Sequence, residues 1–99
     1  MSRADGADFA RGMNLAQSME ARLASLEPTS IEIADESGQH LGHAGWKPGG
    51  SHFRLRIVSP RFAGKDRLAR HRMIYDALGP LMRDEIHALV IHALAPDEL

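Results

Sequence analysis

HFRLRIVS, residues 52–59, decides the architecture. Phe53, Leu55 and Ile57 alternate with His52, Arg54 and Arg56. A strict period of two sends the apolar set to one face and the polar set to the other. This is a strand buried on one side only, and it needs a second layer to cover its apolar face. Downstream, PRFAGKDR (60–67) carries the turn residues Pro60 and Gly64. From Asp66, Leu68, His71, Ile74, Tyr75, Leu78, Leu81 and Met82 recur at helical spacing. Pro80 inside a helix would cost about 3 kcal/mol, so the helix is predicted to end or bend at Leu78, with Pro80 opening a further turn. IHALVIHAL (86–94) reads as a third strand, apolar on both faces and starting at His87.

Upstream, SIEIADES (30–37) alternates Ile31 and Ile33 with polar residues and reads as a short half-buried strand. Before it, Phe9, Met13, Leu15, Ala16, Met19, Leu23 and Leu26 trace one face of an amphipathic helix over Asp8–Glu27. Asp8 or Asn14 is the candidate cap. Pro28 ends the helix, because the residue before proline is pushed out of helical conformation. Ser37 to Ser51, with five glycines, one proline, two histidines and the only tryptophan, forms a loop of unusual length, and such loops are often functional. The order helix, strand, strand, helix, strand predicts a two-layer α/β (α+β) domain. Its mixed three-stranded sheet has helices on one face, and a helical crossover makes the third strand parallel to its neighbour.

With 99 residues the chain is expected to form a single domain over 1–99, with 1–8 a flexible N-terminus and 95–99 a flexible or helical end. It has no cysteine, which excludes disulfides, a thiol nucleophile and any all-thiolate metal site. No stretch reads as a membrane span or a targeting segment, so a cytoplasmic location and no membrane partner are expected. Charge is uneven. Residues 1–36 carry net −4, residues 37–72 net +7 and residues 73–99 net −4, which sum to −1. The basic middle third, including Arg54, Arg56, Lys65, Arg67, Arg70 and Arg72, can attract phosphates or an acidic protein. It can equally be a solvated face paired with the acidic thirds.

No phosphate-binding glycine loop, nucleophile elbow or acid/base carboxylate pair is present, so the chain reads as a non-enzyme. His40 and His43 make an H-x-x-H pattern in the loop, but no further donor pattern completes a zinc site. His92, five residues after His87, points to the other face of a regular strand and reads as structural. His71, in phase with Ile74 and Leu78, reads as half-buried. Trp46 and His71 are candidate partner contacts, since aromatic side chains are enriched in binding hot spots.

DES (35–37), HF (52–53), VS (58–59), RFAGK (61–65), RHRMIYDAL (70–78) and IHAL (86–89), in this order and spacing, resemble the BolA-like family over roughly residues 15–97. The resemblance implies a fold similar to the type II KH domain. It also implies pairing with a monothiol glutaredoxin around a shared two-iron, two-sulfur cluster, in cluster trafficking or iron sensing. In that arrangement the chain supplies two ligands: His87, and a loop histidine, with His40 ranked before His43 and His52 last. Glutaredoxin and glutathione supply the thiolates, which suits a chain without cysteine. Alone, the chain is expected to be a cluster-free monomer or weak homodimer. The alternative that the resemblance carries is DNA binding and transcriptional control of stress and cell-shape genes. The candidate contacts for it are Lys65, Arg67, Arg70 and Arg72. The G-x-x-G loop of KH domains is absent: the residues read Gly64, Lys65, Asp66, Arg67, and Asp66 places a negative charge where a phosphate would sit.

Overall fold

The computed structural model describes residues 14–36 and 51–99. Three strands, β1 (Ser30–Asp35), β2 (His52–Val58) and β3 (Ala88–Leu94), form one sheet in the order β1-β2-β3. β1 lies antiparallel to β2, with Ile33 opposite Leu55, and β3 lies parallel to β2, with Leu55 opposite Ile91. The helices are α1 (Leu15–Leu23), α2 (Arg67–Leu78) and the short α3 (Pro80–Asp84). Phe53, Leu55 and Ile57 are buried against Met19 and Leu23 of α1 and Ile74 and Leu78 of α2. Arg54 is exposed and Arg56 half-buried on the opposite face, so the alternation in HFRLRIVS is the inside and outside of the sheet. No helix among the described residues is long and apolar enough to cross a membrane.

Local chemistry explains the element ends. Asn14 caps α1: its side chain accepts from the Gln17 N–H at 2.9 Å, and the Gln17 side chain accepts from the Asn14 N–H at 3.0 Å. Asn14 is one of the two candidate caps; the other, Asp8, lies with residues 8–13 outside the described residues. A 3-10 turn, Ala24–Leu26, follows, and Glu27 takes a left-handed conformation (φ 54°) before Pro28. Asp66 caps α2 by accepting from the Ala69 N–H at 2.8 Å, so its carboxylate serves the helix start. The break foreseen at Pro80 is present. Gly79 adopts φ 57°, which glycine reaches without strain, and Pro80 opens α3.

Two readings of the pattern need correction. β3 begins at Ala88, so His87 precedes the strand instead of opening it. Leu68 and Tyr75 are 60% and 42% exposed, so they are not core. At about 100° per residue, they lie roughly 60–120° around α2 from Ile74 and Leu78, outside the arc that meets the sheet. That same arc carries Arg70 inward.

Ser59 of the V-S motif and Phe62 and Gly64 of the F-A-G-K motif are structural. Ser59 is fully buried; its hydroxyl donates to the Leu26 carbonyl at 2.6 Å and accepts from the Arg61 N–H at 3.0 Å. The Ser59 N–H donates to the Leu94 carbonyl at 2.9 Å, so one residue joins β2, β3 and the tail of α1. Phe62 is fully buried, and Gly64 turns the chain at φ 77°.

The C-terminal end is a 3-10 turn, Pro96–Glu98, held by Arg70. The Arg70 guanidinium donates to both Glu98 carboxylate oxygens, at 2.6 and 2.7 Å, and to the carbonyls of Lys65 and Ala93. The hydrogen bonds from Arg70, then that from the Ala95 N–H, hold the Glu98 carboxyl down at about 2. A lowered folded-state value stabilises the protein fully above the ordinary carboxyl value near 4.5, and the contribution is lost as pH falls to about 2. Glu98→Gln is therefore expected to lower the melting temperature at neutral pH, and the gap to the parent protein is expected to close between about pH 4.5 and pH 2. Because the Glu98 side chain is 40% exposed, solvent screening keeps the effect modest. A gap that stays constant across that range would show that the carboxylate charge is not what holds the turn.

Candidate functional site

One corner of the sheet gathers the end of the 37–50 segment, the start of β2 and the approach to β3. The Ser51 carbonyl accepts from the N–H groups of His87 (2.8 Å) and Ala88 (2.9 Å), and the Glu36 N–H donates to the His52 carbonyl at 2.7 Å. Both points where the 37–50 segment joins the described fold therefore lie at this corner. His87 is exposed there, while its own N–H is bonded to Ser51 and strand pairing begins at the next residue, Ala88. His52, opposite Ala88 in the register, is half-buried, and its ring centre lies 5.1 Å from that of His87 with the planes at 40°. Spacing within β2 could not reveal this meeting, since it depends on the register between β2 and β3. His40, His43 and Trp46 lie outside the described residues.

The donor set at this corner consists of imidazoles. Among the described residues no group of three or more histidine, cysteine, aspartate or glutamate side chains could hold a metal ion. Imidazole nitrogens are good ligands for iron and zinc, and an exposed one leaves room for ligands from outside the chain. The residues present thus fit one side of a shared cluster and supply no thiolate of their own.

A second feature is an open groove of about 940 Å³ that joins the uncovered sheet face to the start of α2 across the edge strand β3. Arg54, Arg56, Lys65, Arg67 and Arg70 line it, together with His71 and His92. Lys65, Arg67 and Arg70, three of the four basic candidates, are brought together there, and Arg72 is not among the lining residues. Arg70 is occupied by Glu98, with only 11% of its side chain exposed. Arg54 pairs with Glu36 at 3.0 Å, and Arg61 with Glu27 at 3.0 Å. Part of the basic middle third is therefore neutralised by the two acidic thirds. Arg56, Lys65 and Arg67 form no ion pair among the described residues. His71 is half-buried, with Tyr75 edge-on at 6.3 Å. His92 is exposed in register with Arg56, so it belongs to the groove and not to the core.

Known proteins share this framework. A family model described as BolA-like protein matches residues 23–98. SufE-like protein 1, chloroplastic/mitochondrial, of Arabidopsis thaliana is 42% identical over 94 residues, covering 90% of this chain. This chain spans only 24% of that relative's length. The DNA-binding transcriptional regulator BolA of Escherichia coli (strain K12) is 40% identical over 81 residues, covering 81% of this chain and 74% of the relative. The solved structure of BolA1 from Arabidopsis thaliana superposes with a TM-score of 0.75 at 34% identity, covering 88% of this chain and 98% of that one. The match reaches both the sequence framework that carries His87 and the mixed three-stranded architecture that mounts it. This chain belongs to the BolA-like protein family.

Proposed function

We propose that the protein is a non-enzymatic adaptor that pairs with a monothiol glutaredoxin and completes a shared two-iron, two-sulfur cluster through His87 and a histidine of the 37–50 segment. The observation that supports this most is the mounting of His87: an exposed imidazole on a backbone pinned to Ser51, at the corner where that segment leaves and rejoins the sheet. His40 is four residues from Glu36 and so lies within about 14 Å of it even in a fully extended chain. His43, seven residues from Glu36, lies within about 25 Å of it by the same measure. When held, the cluster supplies electron transfer or cluster delivery, and the histidines set its charge and lability, since imidazole is neutral where thiolate is anionic.

Co-expression with a monothiol glutaredoxin, followed by isolation of the pair and measurement of visible absorption and iron content, tests this reading. A stable coloured complex is expected. His40→Ala is expected to weaken its colour more than His43→Ala. A reversed order would assign the loop ligand to His43, and a colourless or unassociated pair would overturn the reading.

The groove cations that form no ion pair among the described residues favour a second reading, DNA binding, which the name of the Escherichia coli relative also carries. Arg56, Lys65 and Arg67 are the residues available for phosphate. Each phosphate contact contributes a slope of about 0.9 log units of affinity per log unit of salt. Lys65→Ala combined with Arg67→Ala is expected to reduce the salt slope of duplex DNA binding by about 1.8. An unchanged slope in fluorescence anisotropy would remove the groove as the DNA surface.

A further inference from the structure

We propose that His52 and His87 form a two-imidazole chelate for a single borderline divalent transition-metal cation such as Zn2+, in the chain by itself and without any partner protein. Two imidazoles bound through ring nitrogens to one tetrahedral ion at about 2.0–2.1 Å have ring centres roughly 3.2 Å from the metal, and hence about 5.2 Å from each other. The two rings here are 5.1 Å apart.

The pair is also pre-organised. His52 is a strand residue in register with Ala88, and the His87 and Ala88 N–H groups both donate to the Ser51 carbonyl. The two backbones therefore cannot drift apart without breaking the β2–β3 ladder, and little ordering cost remains for the metal to offset. Imidazole favours zinc, copper and nickel over magnesium and calcium, which require oxygen donors. Two protein ligands leave two positions of a tetrahedral ion open to water or an incoming ligand.

This inference does not depend on glutaredoxin pairing, and its test contains no glutaredoxin. Zn2+ is titrated into the isolated full chain while the imidazole resonances are followed by nuclear magnetic resonance. The His52 and His87 signals are expected to shift together along one saturable curve. His52→Gln and His87→Gln are each expected to weaken Zn2+ binding at least tenfold, and the double variant no further, because one imidazole alone forms no chelate. His92→Gln is expected to change the affinity less than twofold. Circular dichroism of each variant establishes that the fold is kept. Shifts confined to the other histidines, independent curves for His52 and His87, or the absence of saturable binding would each overturn the proposal. If Zn2+ binding fails while His87 still supports a coloured glutaredoxin complex, the chelate falls and the adaptor reading stands.

Discussion

With His87 replaced by alanine, the complex with a monothiol glutaredoxin is expected to lose its visible absorption while the chain remains folded. His87 is exposed and sits before β3, so its side chain lies outside the buried core that holds the sheet. The Ser51 carbonyl bonds the backbone N–H of residue 87, which alanine retains. What alanine removes is one donor nitrogen from a shared set, with no cysteine anywhere in the chain to replace it. Each tenfold loss of affinity corresponds to about 1.4 kcal/mol, and losing a metal ligand costs more than that, so cluster occupancy is expected to fall by more than about tenfold. Iron and absorbance per isolated complex, read beside an unchanged melting temperature of the free chain, provide the measurement. Full colour with His87→Ala would place the ligands elsewhere and end the adaptor reading as framed here.

Phe62→Ala is expected to produce the largest loss of stability among single changes in the family motifs. Phe62 is fully buried in the core, and the Arg70 guanidinium lies 5.9 Å from its ring centre. Truncating a buried phenylalanine costs about 3–5 kcal/mol, through lost transfer energy and the cavity left behind. In a domain of this size each kcal/mol moves the melting temperature by about 4–8 °C, so a fall of about 12–40 °C is expected. Phe62→Leu keeps most of the volume and is expected to lose less than half as much. The thermal melt also separates two meanings of the F-A-G-K motif. A small loss with Phe62→Ala would show that this phenylalanine is not part of the core. The expected large loss makes it a packing residue, whatever Lys65 does in the neighbouring groove.

Much of this protein was legible along the chain, because the signals that specify its elements are local. The period of two in HFRLRIVS needs only eight residues to define a half-buried strand, and Pro80 needs only its own ring to stop a helix. The strand orientations followed from connection rules, and the sheet has that mixed arrangement. Periodicity was less reliable where it had to decide which side of a helix faces inward. Leu68 and Tyr75 fit the helical spacing, yet the helix turns Ile74, Leu78 and the stem of Arg70 toward the sheet. The basic run looked like a phosphate surface or a solvated face, and tertiary contacts divided it. Glu27, Glu36 and Glu98 take Arg61, Arg54 and Arg70, while Arg56, Lys65 and Arg67 remain toward the groove.

The sequence by itself determined the layers, the mixed strand orientations and the helix break. Only the tertiary structure decided that His52 stands beside His87, because that contact exists through the register of two strands joined by a long helical crossover. A one-residue slip in that register would send every side chain to the other face, and no local pattern in either strand records which partner it will meet.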